Sequence, residues 1–308
     1  MKKSRTVLPL VLFATLVART AFADPGVLLL AHGGTPEWNA RVTALAAQVG
    51  RTHPTEIAFG MATRANIQAA IDRLVARGVS EIVAVPLFVS SWSTVITSTE
   101  YLLGLRNEAP AALAIFARMN HTSPATPGAR AAASDGHEGH QAPSDGTTPV
   151  KSPVPIRMTP ALNDHPIVAE ILASRARAIS RNAASEAMVI VAHGPNEDAE
   201  NRRWLADMAS IAERLRRSEK FASIDYLTVR DDAPKAVRDR ATAELRALVT
   251  TRTEAGQRVL VVPLLISFGG IERGLRERLE GLPYAMADGG LMPDDRLATW
   301  VLAVAEGR

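Results

Sequence analysis

The sequence predicts an α/β protein made of two similar halves, each built on a parallel sheet, and three observations carry that prediction. The first is an apolar run, Val27-Leu28-Leu29-Leu30-Ala31, that stops on His32-Gly33-Gly34 and recurs as Met188-Val189-Ile190-Val191-Ala192 before His193-Gly194-Pro195. The second is a later matching pair, Val83-Ala84-Val85-Pro86-Leu87 and Leu260-Val261-Val262-Pro263-Leu264. The third is the alternation of such runs with stretches of helical period, as βαβ units require. Uninterrupted Val, Leu and Ile suit strands buried on both faces, and the same motifs in the same order mark a duplication.

The chain begins with Lys2, Lys3 and Arg5, then an apolar stretch from Val7 to Ala18, then Ala21-Phe22-Ala23 and Asp24-Pro25. That is the layout of a secretory signal peptide at residues 1–23, its apolar core too short to span a bilayer comfortably and interrupted by Arg19. Cleavage is expected after Ala23, giving a periplasmic or secreted protein with no stable membrane span. Of the 35 Lys and Arg in the chain, the leader holds four (Lys2, Lys3, Arg5, Arg19) and no acid, so the mature chain has 31 against 32 Asp and Glu. The basic character of the full sequence is therefore no argument for a nucleic-acid partner. There is no cysteine, which excludes disulfides, thiolate metal sites and a cysteine nucleophile. A transition-metal ion would have to be held by histidine, carboxylate or a ligand's own nitrogen.

The first half is expected over residues 24–118. After His32-Gly33-Gly34, Thr35-Pro36-Glu37 signals a helix start, and Trp38, Val42, Leu45, Ala46 and Val49 recur at helical spacing. A strand is predicted over Glu56–Met61, and a helix over Ala65–Ala76 with Ile67, Ala70, Ile71 and Leu74 on one face and Gly78 at its end. The strand Ile82–Val85 follows, then the loop Val89-Ser90-Ser91-Trp92-Ser93-Thr94 and a helix over Val95–Leu105 that carries Glu100. Residues 119–153 turn to Pro, Ala, Ser, Thr, Gly and Asp around His137-Glu138-Gly139-His140, and read as a flexible linker. Its two histidines would lose ordering entropy before holding a metal ion.

The second half, residues 154–308, opens with Val154–Met158 and a helix over His165–Ser180, then repeats the scheme. His193-Gly194 leads into a long amphipathic helix through Trp204, Met208, Ile211 and Leu215. A strand over Ile224–Val229 ends in Arg230-Asp231-Asp232, a helix spans Pro234–Val249, and the strand Val259–Val262 runs into Pro263. Ile266-Ser267-Phe268-Gly269-Gly270-Ile271-Glu272 then opens a helix through Leu275 and Leu279. The chain closes with Tyr284–Ala287 and a helix over Asp294–Ala305.

Ligands of open α/β sheets bind at the carboxyl ends of the strands, which is where both histidines fall. A neutral imidazole there can ligate a divalent metal or move protons near neutral pH. Trp92 either stacks on a flat ligand or covers the core. Gly269-Gly270 lets a ligand approach the backbone, and Glu272 either does chemistry or simply complements the helix dipole.

The motifs Ala31-His32-Gly33-Gly34, Val85-Pro86-Leu87-Phe88-Val89, Ala192-His193-Gly194-Pro195 and Val262-Pro263-Leu264-Leu265 resemble, in order and duplication, the two-copy CbiX-type sirohydrochlorin chelatases of the class II chelatase group. The resemblance implies a chelatase-like fold whose halves face a central cleft. In that cleft a tetrapyrrole is held while a divalent metal is inserted, Co2+ as in corrinoid (cobalamin) synthesis or else Ni2+ or Fe2+. The metal and the tetrapyrrole are substrates, and no organic cofactor is implied. His32 matches the family's first active-site histidine and His193 its counterpart in the second copy, so both are the implied metal ligands. His32, Glu100 and Glu272 are the implied catalytic groups, with Trp92, Ser93, Gly269 and Gly270 as binding residues. The family's second histidine is kept in neither copy: Trp92-Ser93-Thr94 and Gly269-Gly270-Ile271 stand in its place. The expected activity is therefore an exported chelatase, with a non-catalytic tetrapyrrole or metal carrier on the same scaffold as the alternative. The oligomeric state is not encoded in any motif.

Overall fold

The structure is a computed structural model and describes residues 24–122 and 146–308, with the side chains of 119–122 excepted. His137, His140 and most of the expected linker lie outside the described residues. Two four-stranded parallel sheets are present. The first is formed by β1 (Gly26–Ala31), β2 (Thr55–Phe59), β3 (Ile82–Pro86) and β4 (Ile156–Met158), in the order β2-β1-β3-β4. The second repeats it with β5 (Glu186–Ala192), β6 (Ser223–Thr228), β7 (Arg258–Leu264) and β8 (Ala285–Met286), ordered β6-β5-β7-β8. The helices are α1 (Pro36–Val49), α2 (Arg64–Ala76), α3 (Thr94–Leu102), α4 (Ala111–Thr122), α5 (Pro166–Ile179), α6 (Asp198–Ser218), α7 (Lys235–Glu254), α8 (Ile271–Arg278) and α9 (Arg296–Ala305).

The pleat decides which way each strand residue points. Val27, Leu29 and Ala31 of β1, with Met188, Ile190 and Ala192 of β5, face one shared core between the sheets. Leu28 and Leu30 face an outer layer under α2 and α4, and Val189 and Val191 face one under α7 and α8. The shared core is filled by the apolar faces of α1, α5, α6 and α9, so the molecule is layered helix, sheet, helix, sheet, helix. Each fully buried Leu or Ile in those layers contributes about 1.5–3 kcal/mol relative to exposure.

The last helix of each copy crosses to the other. Helix α5 packs on α6 and β7, and α9 packs on α1 and β3. Arg175 of α5 fixes the exchange by donating to the backbone oxygens of Gly290 (2.9 Å) and Pro293 (2.7 Å). Gln48 of α1 bonds Asp295 (3.0 Å), and Arg157 of β4 bonds the Ala305 carbonyl.

These contacts correct the expected division of the chain. Ile156–Met158 pairs with Ile82–Ala84, so the strand assigned to the second half belongs to the first sheet. It follows a long insertion, and its pairing partner is set by an open edge of β3 that no local pattern reveals. The expected linker, residues 119–153, is also too wide at both ends. Helix α4 runs on to Thr122. Lys151 exchanges hydrogen bonds with Gln68, and the Val150 N–H donates to Leu102, so this polar stretch is tied down by α2 and α3 despite its composition.

Candidate functional site

Both histidines stand one residue beyond the carboxyl end of a central strand, each followed by a glycine with positive φ: Gly33 at 81° and Gly194 at 75°. The left-handed conformation turns the chain away from the sheet, and only glycine adopts it without strain. At Gly194 there is no room either, since a Cβ would lie 2.6 Å from the Thr228 Cβ. The short run and the His-Gly step are thus one device, which ends the strand and leaves the imidazole at the sheet edge.

The two imidazoles have different surroundings. His32 is exposed, and its Nδ1 lies 2.8 Å from the Gly33 carbonyl oxygen. His193 is partly buried, and its Nε2 pairs with Asp232 Oδ2 at 3.3 Å. Burial alone would lower the His193 pKa, but the Asp232 hydrogen bond and charge, with Asp231 behind them, outweigh it and raise it. Asp232 is held below the usual carboxylate range chiefly by that bond, with a further contribution from the charge of His32. Both histidines thus stand at the carboxyl edges of their sheets, and His193 has Asp232 beside it. Among the described residues no three His, Asp or Glu side chains are grouped closely enough to hold a metal ion by themselves.

Asp232 was not among the residues singled out from the sequence. It follows β6, the neighbour of β5, so the edge argument applied to His193 reaches it when extended to the adjacent parallel strand.

Trp92 lies between the copies. Its Nε1 donates to Asp207 Oδ2 (3.1 Å), its backbone oxygen accepts from Trp204 Nε1 (2.8 Å), and the Arg203 guanidinium sits 4.5 Å from its ring centroid. All three partners are on α6 of the second copy. The reciprocal contact is made by α1, whose Trp38 packs so close to Gly269 that a Cβ there would lie 3.2 Å from the indole, and whose Arg41 donates to Ser267 (2.9 Å). Asp207 is a second residue missed from sequence. Desolvation, helped by the nearby charge of Asp164, pushes its carboxyl up to about 6 against the Trp92 bond, which lowers it.

The remaining expected residues have structural engagements. Ser93 caps α3, its Oγ accepting from the Ile96 N–H at 3.4 Å. Glu100 sits in the last turn of α3, six residues and about 9 Å along the axis from the helix start, where it pairs with Arg106 at 3.5 Å rather than turning to His32. Glu272 accepts from the N–H groups of Gly269 (3.1 Å) and Gly270 (2.9 Å). Burial works against its charge, but those backbone bonds prevail and lower its pKa. It sits in the first turn of α8 and holds the two amides just ahead of the helix, with Gly270 at φ 136° as the N-cap. Two surface concavities of about 480 and 430 Å3 lie on the flanks, beside β2 and between α5 and α6, and neither is lined by a histidine of this edge.

A family model, CbiX, matches residues 26–179. Those residues run from the start of β1 to the end of α5, which is one whole copy including its exchanged helix. No curated protein matches the sequence. Among solved structures, SirB from Bacillus subtilis with Fe3+ is similar at 15% identity and a TM-score of 0.55, covering 92% of this chain and 98% of that one. DR2241 from Deinococcus radiodurans, described as a multi-domain protein with structural similarity to chelatases and two additional novel domains, is similar at 19% identity and a TM-score of 0.50. That likeness covers 92% of this chain and 54% of DR2241, so the chain spans about half its length. At these identities the likeness is one of fold.

Proposed function

The chain belongs to the CbiX family, and from that premise we propose that it is a tetrapyrrole chelatase, exported from the cytoplasm, that inserts a divalent metal into a sirohydrochlorin-like macrocycle. The observation that carries the reading is the pairing of His193 with Asp232 at the carboxyl edge of the second sheet, with His32 at the equivalent place in the first. Insertion requires the metal to shed water and two pyrrole nitrogens to lose protons. His193, once neutral, would be a ligand for a borderline divalent ion, and Asp232, paired with its Nε2, would fix its ring. His32, exposed across the edge, is placed to take a pyrrole proton or to share the ion. Gly270 leaves open space at the rim of the second copy, and Trp92 offers an aromatic surface once it leaves Arg203.

Cobalt is the metal we assign, with nickel and iron as the alternatives; the Fe3+ of the SirB structure lends iron support. Export rests on the layout of residues 1–23. N-terminal sequencing of the secreted or periplasmic protein should start at Asp24, and recovery of intact Met1 protein in membranes would defeat the signal-peptide reading. The catalytic test is to mix the mature protein with sirohydrochlorin and each of Co2+, Ni2+ and Fe2+ and follow the absorption spectrum. Metal insertion that is lost in His32→Ala while tetrapyrrole binding survives supports the chelatase. A carrier is the second reading, favoured by the commitment of Glu272 to the two amides ahead of α8 and by the missing second histidine. It predicts binding of the macrocycle without any spectral sign of insertion.

A further inference from the structure

We propose that Arg230 is a positioning residue for the second-copy histidine, holding the His193–Asp198 loop so that the imidazole and Asp232 are presented together. The activity consequence rests on the chelatase reading above, whereas the positioning itself does not.

Arg230 is buried, and its side-chain hydrogen bonds go to residues 195–198. Its Nε donates to the Pro195 carbonyl (3.0 Å), one Nη to Asp198 Oδ1 (2.5 Å) and the other to the Asn196 carbonyl. Its backbone N–H donates to the His193 carbonyl at 2.6 Å. A planar guanidinium fork reaches several acceptors at once in fixed geometry, which a lysine ammonium does not. Without it, the carbonyls of Pro195 and Asn196 would lose their donors. Arg230 also has φ 51°, a region that residues with a Cβ seldom adopt. That turn sets the direction of Asp231 and Asp232. Asp231 is in turn held by Arg278, and its backbone oxygen accepts from Arg238 at 3.5 Å.

The first copy lacks this guanidinium anchor, although its equivalent loop also turns through a positive φ, at Ala62 (50°). Phe59 lies opposite Ala31 as Thr228 lies opposite Ala192, so Met61 stands where the second copy has Arg230. The His32 loop is fastened by Asn39, which bonds the N–H and carbonyl of Gly34, and His32 itself is exposed. One histidine is thus anchored through a buried cation and its counterpart is not.

The test uses the full mature chain as Arg230→Met, which copies the first half, and Arg230→Lys, which keeps the charge but not the fork. Amide hydrogen exchange over residues 194–198 should quicken in both variants while the β5 amides stay protected. Co2+ affinity should fall by about 10–100-fold in Arg230→Met, the usual cost of removing a group that orients a ligand. KM for Co2+ should rise more than kcat falls, and tetrapyrrole binding should be unchanged. Arg230→Lys should recover part of the affinity; it is also the variant to rely on if Arg230→Met does not fold. Wild-type loop exchange together with wild-type Co2+ affinity in the lysine variant would overturn the proposal. If the wild type itself neither binds nor inserts Co2+, the chelatase reading fails, and loop exchange alone still decides whether Arg230 positions the loop.

Discussion

His32 and His193 end equivalent strands, but of the two only His193 forms an ion pair among the described residues, and that difference has a pH signature. The His193 pKa is raised and that of Asp232 lowered. The pair's contribution to stability is therefore present between the two ranges. It is lost as pH rises through the raised histidine value and as pH falls through the depressed carboxylate value. Metal binding needs the neutral ring, so Co2+ binding, followed by titration across neutral pH, should rise through a midpoint above the ordinary 6.5. In Asp232→Asn the midpoint should move down, and binding at high pH should weaken because the carboxylate that fixes the ring has gone. Asp207 has the opposite consequence. With its carboxyl raised to about 6, folding favours the protonated form, so its contribution falls as pH rises from the ordinary 3.8 through 6. Asp207→Asn should remove that part of the slope in melting temperature against pH, measured as a difference from wild type. Gly194→Ala should destabilise by about 1–3 kcal/mol in denaturant titration, from the strained backbone and the clash with Thr228. The histidines were legible because a strand stopping on His-Gly is a local pattern. Asp232 and Asp207 were not, because each owes its setting to a side chain distant in sequence.

At the scale of elements, apolar runs and helical spacing located β1, β2, β3, β5, β6 and β7 and most helices to within a few residues. The elements that escaped were those whose fate is decided by edges and exchange. Helix α4 has an apolar face in Leu113 and Phe116, but it runs into a stretch of linker composition. Strand β4 is three residues long and too short to show a period. Helices α5 and α9 were legible as helices, yet nothing in their sequence says which sheet each covers. Trp300 on α9 is 2% exposed and lies in the core shared by both sheets. Trp300→Ala should cost about 3–5 kcal/mol, and the loss should appear in probes of both halves at the same denaturant concentration.

For the whole molecule, the duplication was readable from repeated motifs, whereas the interlocking of the copies was not. The shared core draws on α1, α5, α6 and α9 together, so a chain cut between α5 and β5 would bare an apolar face on each piece. The same interlock explains how the copies are free to differ. Two separate identical chains exchanging their last helices would meet as an isologous pair, in which any substitution alters both sides of the interface at once. The position of Gly269, against which Trp38 packs, would then have to take the tryptophan that stands at position 92. Carrying both copies on one chain lifts that self-complementarity. Each rim residue can change alone, and the pairs Trp92 and Gly269, Met61 and Arg230 are where the two copies have ceased to be interchangeable.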